Sequence, residues 1–338
     1  MTNQTRIAVL GDGGWGTALA ILLHKKGYDV TLWSPFPEYA ETLKEKRENV
    51  KYLPGIPIPG ELPITSDLEE GCSRAAVIIL VTPSHHLRSV CQRAKPFIGP
   101  EHIIVSATKG LEEKTSLRMS EVIQAVLGDV NVAVLSGPTL AREVATGHPT
   151  AATVSSTSPS LARTVQNILM TETFRIYTNP DMIGVELGGS LKNVIAIAAG
   201  IVDGMGLGAN TKSALLTRGL VEMARLGEAM GADRRTFSGL AGLGDLFTTA
   251  VSDLSRNHNF GFQVGRGVPV EEAKASTDMV IEGIRTAKAA AELARKHHVE
   301  MPIATEAYRV IYEGKHPREA IATLMSRPPK PELEEELE

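Results

Sequence analysis

The sequence predicts an α/β fold, a doubly wound and mostly parallel sheet followed by a second, all-helical domain. Three observations carry this. Strand signals alternate with helical patterns from residue 6 to about residue 178, starting with a glycine turn between the first strand and the first helix. From Pro180 onward strand signals fade and helical periodicity takes over. Between the two lies NPDMIGVELGGSLKNVIAIAAGIVD, residues 179–203, which reads as one long helix. The expected domains are therefore 1–178 and 179–326. The end of the chain, 327–338, combines Pro with acid and is expected to be a disordered tail.

A chain of 338 residues is long enough to bury a core in each of two domains. Its net charge of −4 argues against a general nucleic-acid or membrane-surface role, where a basic excess is expected. Cys72 and Cys91 follow no metal-ligand spacing and suit reduced, packed thiols. No secretory signal precedes the first strand, and the longest charge-free apolar run, 194–202, is too short to span a bilayer. The expectation is a cytoplasmic protein without a membrane span, a metal or a nucleic-acid partner. A homodimer is allowed but not indicated.

RIAVLG at 6–11 reads as a buried strand, and GDGGWGTALAILLHKKG as a glycine turn feeding a helix. Gly11, Gly13 and Gly16 match G-x-G-x-x-G in the strand–helix context that the motif requires, so the first domain reads as Rossmann-like. The first glycine permits the tight turn, the second lets backbone approach a pyrophosphate, and the third lets the helix pack close. Asp12 is awkward there, because an acid beside a pyrophosphate must point away. The second strand, 29–33, ends at Ser34 and Pro35, where NAD binders place an acid and NADP binders an Arg. With neither present, only a modest preference between NADH and NADPH is expected. Lys44, Lys46 and Arg47 further on read as a solvated helix face.

The strand at 75–84 ends in Pro83, Ser84, His85 and His86, and the strand at 102–110 ends in Lys109. Adjacent histidines diverge and lack a third ligand, so no metal site is read there. A strand-end lysine is either merely solvated or a ligand-binding group at the sheet's carboxyl edge. Residues 132–147 repeat strand, turn and helix; Thr139 offers a hydroxyl, and backbone around Gly137 and Ala141 faces the cleft. The strand 149–156, the helix 160–170 and the short segment 174–179 complete the first domain.

In the long helix, Asn179 is expected to cap, with Pro180 at the first helical position and Asp181 at the positive end of the dipole. Leu187, Leu191, Val194, Ile195, Ala198, Ile201 and Val202 form an apolar face. Lys192 shares another stripe with Gly188, Gly189, Ala196 and Ala199, with Asp203 further along. Glycine inside a helix costs about 1 kcal/mol against alanine, so two of them imply close approach of another body. A lysine in that groove is partly desolvated and gives up its proton more easily. The alternative is a surface lysine on a helix packed through small residues. Beyond this helix, SGLAGLGDLFTT at 238–249 reads as a glycine-rich loop leading to Asp245 and Thr249. LSRNHNFG then sets Ser255, Arg256 and Asn257 at a loop-to-helix junction, either a phosphate grip or a serine cap followed by a surface arginine. Three further helices are expected at 214–232, 285–298 and 302–314.

The run VELGGSLKNVIAIAAGIVDGMGLGANTKSALLTRGLVEMARL resembles bacterial NAD(P)-dependent glycerol-3-phosphate dehydrogenase. So do GDGGWGTALA, YLPG, SATKGLE, SGPTLAREVATGHPT, AGLGDLFTT, LSRNHNFG and VIEGIRTA, in the family's order from about residue 5 to about residue 325. The resemblance implies reversible reduction of dihydroxyacetone phosphate to sn-glycerol 3-phosphate with NAD or NADP, supplying the glycerophospholipid backbone. It makes Lys192 the acid/base group. It assigns substrate contacts to Lys109, Gly137, Thr139, Lys192, Asn193, Asp245 and Thr249, and the phosphate to Ser255, Arg256 and Asn257. Cofactor contacts fall on Gly11, Gly13, Gly14, Trp15, Gly16, Lys109, Ala141, Arg256, Val280 and Glu282, with the turn at Pro83–Ser84 near the nicotinamide. A basic residue common in the family is absent at Pro35.

Two rival readings remain at this level. A β-hydroxyacid dehydrogenase also uses a helix-borne lysine, but with an Asn four residues later; here that position is Ala196 and the Asn is Asn193. A non-catalytic dinucleotide sensor needs the glycine turn but not Lys192 and the phosphate cluster together.

Overall fold

The computed structural model describes residues 3–277 and 279–332. β1 (Asn3–Leu10) leads through the glycine turn into α1 (Gly14–Lys25), β2 (Tyr28–Trp33) and α2 (Pro37–Lys46). A small antiparallel hairpin, β3 (Glu48–Asn49) with β4 (Leu53–Pro57), precedes β5 (Ile64–Thr65) and α3 (Leu68–Cys72). Next come β6 (Val77–Leu80), α4 (Ser84–Ala94), β7 (Ile103–Ser106), α5 (Met119–Leu127) and β8 (Asn131–Ser136). α6 (Ala141–Ala145), β9 (Thr150–Ser155), α7 (Pro159–Leu169) and β10 (Phe174–Asn179) finish this part.

Eight strands form one sheet in the order β10-β9-β8-β7-β6-β1-β2-β5. All neighbours are parallel except β8 and β9, which run antiparallel. Strand order reverses between β1 and β6, the place where an open α/β sheet leaves a crevice for ligand. The apolar runs IAVL and VIIL, and IIVS beyond its partly buried Ile103, are buried because helices cover both faces. Along β1 the side chains alternate: Ile7 and Val9 join one core, and Ala8 and Leu10 the other. Cys72 and Cys91 are free, buried thiols, each pushed up to about 12 by burial.

Beyond β10 the described elements are helices, chiefly α8 (Met182–Gly204), α9 (Gly208–Ala229), α10 (Asp245–Val251), α11 (Arg256–Gly265), α12 (Val270–Ala275), α13 (Glu282–Lys296), α14 (Pro302–Tyr312) and α15 (Pro317–Met325). They enclose a third core around Leu191, Ile195, Met223, Phe237, Phe260 and Leu293. α8 is its axle. The expected apolar face is only part of the story, because every residue from Gly184 to Val202 is buried. Such all-round burial is what a hydrophobic helix in a large core requires. α8 is also long and apolar enough to cross a bilayer, more so than its charge-free run suggests, yet it lies wholly inside the protein.

Three local expectations shift. The cap of α8 is Asp181, whose carboxylate accepts from Gly184 N at 2.9 Å, while Asn179 ends β10 and accepts from Asp181 N at 2.8 Å. Aspartate at the N-cap gains the exposed amides and the positive dipole end together, so it displaces Asn179. The expected loop before Asp245 is helical instead, a π-turn over Leu240–Gly244 running straight into α10. Arg47 leaves the helix face: it takes a left-handed conformation after α2 and donates to the carbonyls of Leu62 (2.9 Å) and Pro59 (3.3 Å). Of the expected tail, residues from Leu333 on lie outside those described. Before them, Arg327 pairs with Glu300 at 2.8 Å and the Glu332 carbonyl accepts from Arg218 at 3.1 Å.

Candidate active site

Lys109 follows the carboxyl end of β7, Gly137 and Thr139 that of β8, and α8 and α10 bring Lys192, Asp245 and Thr249 to the same place. Two lysines share one carboxylate there. Lys109 Nζ lies 2.7 Å from Asp245 Oδ2 and also donates to Gly137 O at 2.8 Å, with Thr139 Oγ1 at 3.4 Å. Lys192 Nζ donates to Asp245 Oδ1 and, at 2.7 Å, to Thr249 Oγ1, whose own hydroxyl is turned to Asp245 O at 2.7 Å. Lys192 is 5% exposed and Asp245 1%. Two ammoniums against one carboxylate leave a positive surplus suited to an anionic reaction centre. Burial pulls the Lys192 pKa down to about 7; Asp245 opposes this and the Lys109 charge reinforces it. A buried amine poised near neutrality exchanges protons readily.

Close approach is what the paired glycines permit. A Cβ on Gly189 would meet Ser136 Oγ at 2.4 Å, and one on Gly188 would meet Ala241 O at 2.6 Å. β8 and the π-turn therefore press against α8 one turn before the lysine.

At the start of α11, Ser255, Arg256 and Asn257 each also make contacts within the protein. Ser255 Oγ caps α11, accepting from His258 N at 3.2 Å. Asn257 is buried with its amide engaged: Nδ2 donates to Asn193 Oδ1 at 2.9 Å, and Oδ1 accepts from Gly283 N at 2.9 Å. This ties α8, α11 and α13 together, so the Asn193 and Asn257 side chains brace the site. Arg256 is exposed and donates to Val280 O at 2.8 Å. Glu282, first residue of α13, accepts from Ser84 N (3.0 Å) and Ser84 Oγ (2.6 Å), linking the helical part to the β6 end.

At the glycine turn, Gly11 takes φ +132°, and a Cβ there would strike Val81 O at 2.7 Å. Gly13 faces open space, the vacancy that backbone approach to a pyrophosphate needs, whereas a Cβ on Gly16 would strike Gly11 O and one on Gly14 would strike Tyr52 O. A dinucleotide therefore fits this turn. Asp12 turns inward, with Ser34 Oγ donating to Oδ2 at 2.5 Å, and is 6% exposed. Trp15 does not stand free: it packs edge-on to Phe174, ring centroids 6.2 Å apart. Ala141 opens α6 beside Gly14. Among the described residues no group of three or more His, Cys, Asp and Glu could hold a metal.

Sequence reasoning missed several polar groups around this cleft. Glu186 of α8 is buried against Arg118 (2.5 Å), Ser120 N (2.8 Å) and Ser120 Oγ (2.6 Å). Ser190 bridges Gly110 N and Gly110 O, both at 3.1 Å. His258 Nε2 lies 2.7 Å from Asp203 Oδ2, which also pairs with Lys212 at 2.6 Å. A lone acid inside an apolar helix was the one available signal, for Glu186; the others depend on residues far apart in the chain.

The sequence profile of the NAD-dependent glycerol-3-phosphate dehydrogenase N-terminus matches residues 6–162, and that of the C-terminus matches 181–322. The chain belongs to this family. A glycerol-3-phosphate dehydrogenase (NAD(P)+) of Citrifermentans bemidjiense is 49% identical over 325 residues, 95% of this chain and 97% of that one. The family member from Moorella thermoacetica is 48% identical over 97% of this chain and 98% of its own. The crystal structure of glycerol-3-phosphate dehydrogenase from Coxiella burnetii superposes with a TM-score of 0.93 at 42% identity, covering 96% of this chain and 99% of that one. A ketopantoate reductase family structure from Ralstonia eutropha, 11% identical with a TM-score of 0.61, shares the fold alone.

Proposed function

We propose that the chain reduces dihydroxyacetone phosphate reversibly to sn-glycerol 3-phosphate with NADH or NADPH, feeding glycerophospholipid synthesis, and that Lys192 is its acid/base group. The observation that carries this is the buried Lys192–Asp245–Lys109 cluster at the sheet's carboxyl edge, within a family of this activity. When bound, the reduced nicotinamide supplies a hydride. As negative charge grows on the ketone oxygen, the Lys192 ammonium delivers its proton there, and Lys109 supplies a second positive charge. Asp245 holds both ammoniums in place, and Thr249 fixes the remaining direction of Lys192. Ser255, Arg256 and Asn257 at the α11 amino end receive the substrate phosphate, and the Asn193–Asn257 bond holds α8 and α11 in register. Val280, Glu282, Ala141, Lys109 and the glycine turn Gly11–Gly16 line the cofactor's path. We take 1–178 and 179–326 as the two working halves, in a cytoplasmic enzyme with a small-molecule phosphate substrate. NADH and NADPH oxidation with and without dihydroxyacetone phosphate tests the reading. Turnover that needs this ketone phosphate supports it. Binding without turnover would indicate a sensor, and preference for a β-hydroxy or keto acid would indicate the rival dehydrogenase.

A further inference from the structure

We propose that the Asp12 carboxylate, hung from Ser34 at the end of β2, meets the adenosine ribose of the dinucleotide and sets the preference toward NADH. The inference rests on dinucleotide binding at the glycine turn and adds the residue that discriminates.

In Rossmann-like sites an acid at the end of the second strand accepts the ribose 2′-hydroxyl, and its charge repels a 2′-phosphate. Ser34 and Pro35 supply no acid at that place. The structure brings one there from the glycine turn, 22 residues earlier in the chain. Gly11 N donates to Trp33 O at 3.1 Å, which ties the turn to the last residue of β2. Asn49, from the β3–β4 hairpin, donates to Asp12 O at 2.7 Å and to Thr17 Oγ1 at 2.7 Å, locking the turn from below. With its backbone so held, the Asp12 side chain reaches Ser34 Oγ.

The orientation of that contact follows from one hydrogen. Ser34 Oγ accepts from Phe36 N at 3.2 Å, and its single proton can go to Phe36 O at 3.1 Å or Asp12 Oδ2 at 2.5 Å. The shorter bond to a charged acceptor is the stronger, so the serine stabilises an ionised Asp12. Burial pushes the Asp12 carboxyl up from its ordinary value, and the Ser34 hydrogen bond, the Asp12 amide and the Lys51 charge offset only part of this, so the probes are compared at a pH where the acid is ionised. Apart from its own amide, Ser34 is the one hydrogen-bond partner of the Asp12 carboxylate among the described residues, which leaves its second oxygen to accept a ribose hydroxyl. An adenosine bearing a 2′-phosphate would set two like charges against each other at a site where Ser34 and Asn49 prevent the acid from swinging away.

The test uses the full-length protein, with ADP-ribose and its 2′-phosphate as probes, in calorimetric titrations at about pH 8, well above the ordinary carboxyl range. One partly screened like-charge contact predicts that wild type binds the unphosphorylated probe about 30-fold more tightly. Asp12→Asn, which keeps the shape and removes the charge, should bring the two affinities to within about threefold, mainly by tightening the 2′-phosphate. Ser34→Ala, which removes the hydrogen bond that holds the acid and favours its ionisation, should narrow the preference without reversing it. Should Asp12→Asn fail to fold, wild type alone still decides, since its preference must narrow as salt is raised. Equal affinities in wild type, a preference for the 2′-phosphate, a salt-independent ratio, or an unchanged ratio in Asp12→Asn would each overturn the assignment. If neither probe binds, the dinucleotide reading falls with it; if both bind alike, only the role of Asp12 falls.

Discussion

Lys192 is buried with one carboxylate, one hydroxyl and a second lysine for company, and that company decides what it can do. Lys192→Met keeps the apolar stem within α8, so the protein should fold and bind dinucleotide, while kcat drops by at least about 10²-fold, the lower end for an acid/base group. Near-normal kcat in the folded variant would leave the lysine a structural role only. The pKa near 7 gives the pH profile its sign. Ketone reduction needs the ammonium and should decline as pH rises through about 7, whereas alcohol oxidation needs the free amine and should rise over the same range. Stability carries a matching slope: between about 7 and the ordinary 10.5 the unfolded chain holds a proton that the native lysine has lost, so unfolding becomes harder with rising pH. Urea midpoints across that window, compared with Lys192→Met, should show the slope shrink in the variant. Arg256 is the second residue to isolate. Arg256 is an exposed residue whose guanidinium is held by Val280 O and lowered in pKa by desolvation, so the proposed grip on a phosphate would be a charge-assisted hydrogen bond. Arg256→Ala should cut kcat/KM for dihydroxyacetone phosphate by about 10- to 100-fold. Free dihydroxyacetone, measured at saturating cofactor, should lose far less, and equal fractional losses would remove Arg256 from the phosphate site.

Between elements, the contact that places the site is α8 against α11. Gly261 carries it: a Cβ there would sit 2.0 Å from Ile197 O. Gly261→Ala must push the helices apart, and with them the Asn257–Asn193 bond that keeps the start of α11 beside Lys192. Overpacking of this kind costs about 1 to 3 kcal/mol, so the melting temperature should fall by several degrees, with KM for the phosphate substrate rising. An unchanged melting temperature would mean that the helices separate freely. At this scale the sequence was legible where a pattern is local. The glycine turn, the strand–helix alternation and the long helix with its lysine all follow from spacing, and so did close packing at Gly188 and Gly189. Legibility failed where the deciding partner lies far off in the chain. Nothing near Gly244 announces that its backbone continues as helix into Asp245; packing against α8 decides that. Asn257 looks like a free amide until Asn193 and Gly283 arrive. Asp12 looks misplaced until Ser34, from another strand, explains it. The Asp181 cap was missed for a different reason, since two good caps stood two residues apart and the choice between them is tertiary.

Across the whole molecule, the cleft exists only while the sheet and the helical core stay docked, and polar bonds buried between them hold the dock. Ser190 to Gly110, Lys109 to Asp245, Ser84 to Glu282 and Glu186 to Arg118 and Ser120 all cross from one part to the other. The last of these is the best test, because it shares no residue with the Lys192–Asp245–Lys109 cluster and joins an ion pair to two further hydrogen bonds. Glu186 accepts three hydrogen bonds at the start of α5, and burial pushes its carboxyl upward against the opposing pull of the Arg118 charge and the Ser120 hydrogen bonds. Removing one side of a buried pair commonly costs about 3 to 5 kcal/mol, since the other charge is left without its partner. Arg118 keeps Glu121 at 3.0 Å, which places Glu186→Ala at the lower end, about 3 kcal/mol. Denaturant unfolding should register that loss as one cooperative transition if the two halves unfold together, and as two separated transitions if Glu186 is what couples them. Adding Arg118→Leu to Glu186→Ala should cost less than the sum of the single changes, because the stranded guanidinium is then gone. Strictly additive losses would show that the pair does not couple the halves, leaving the docking to Ser190–Gly110, Ser84–Glu282 and Lys109–Asp245, and so placing part of the fold's stability in the proposed catalytic cluster.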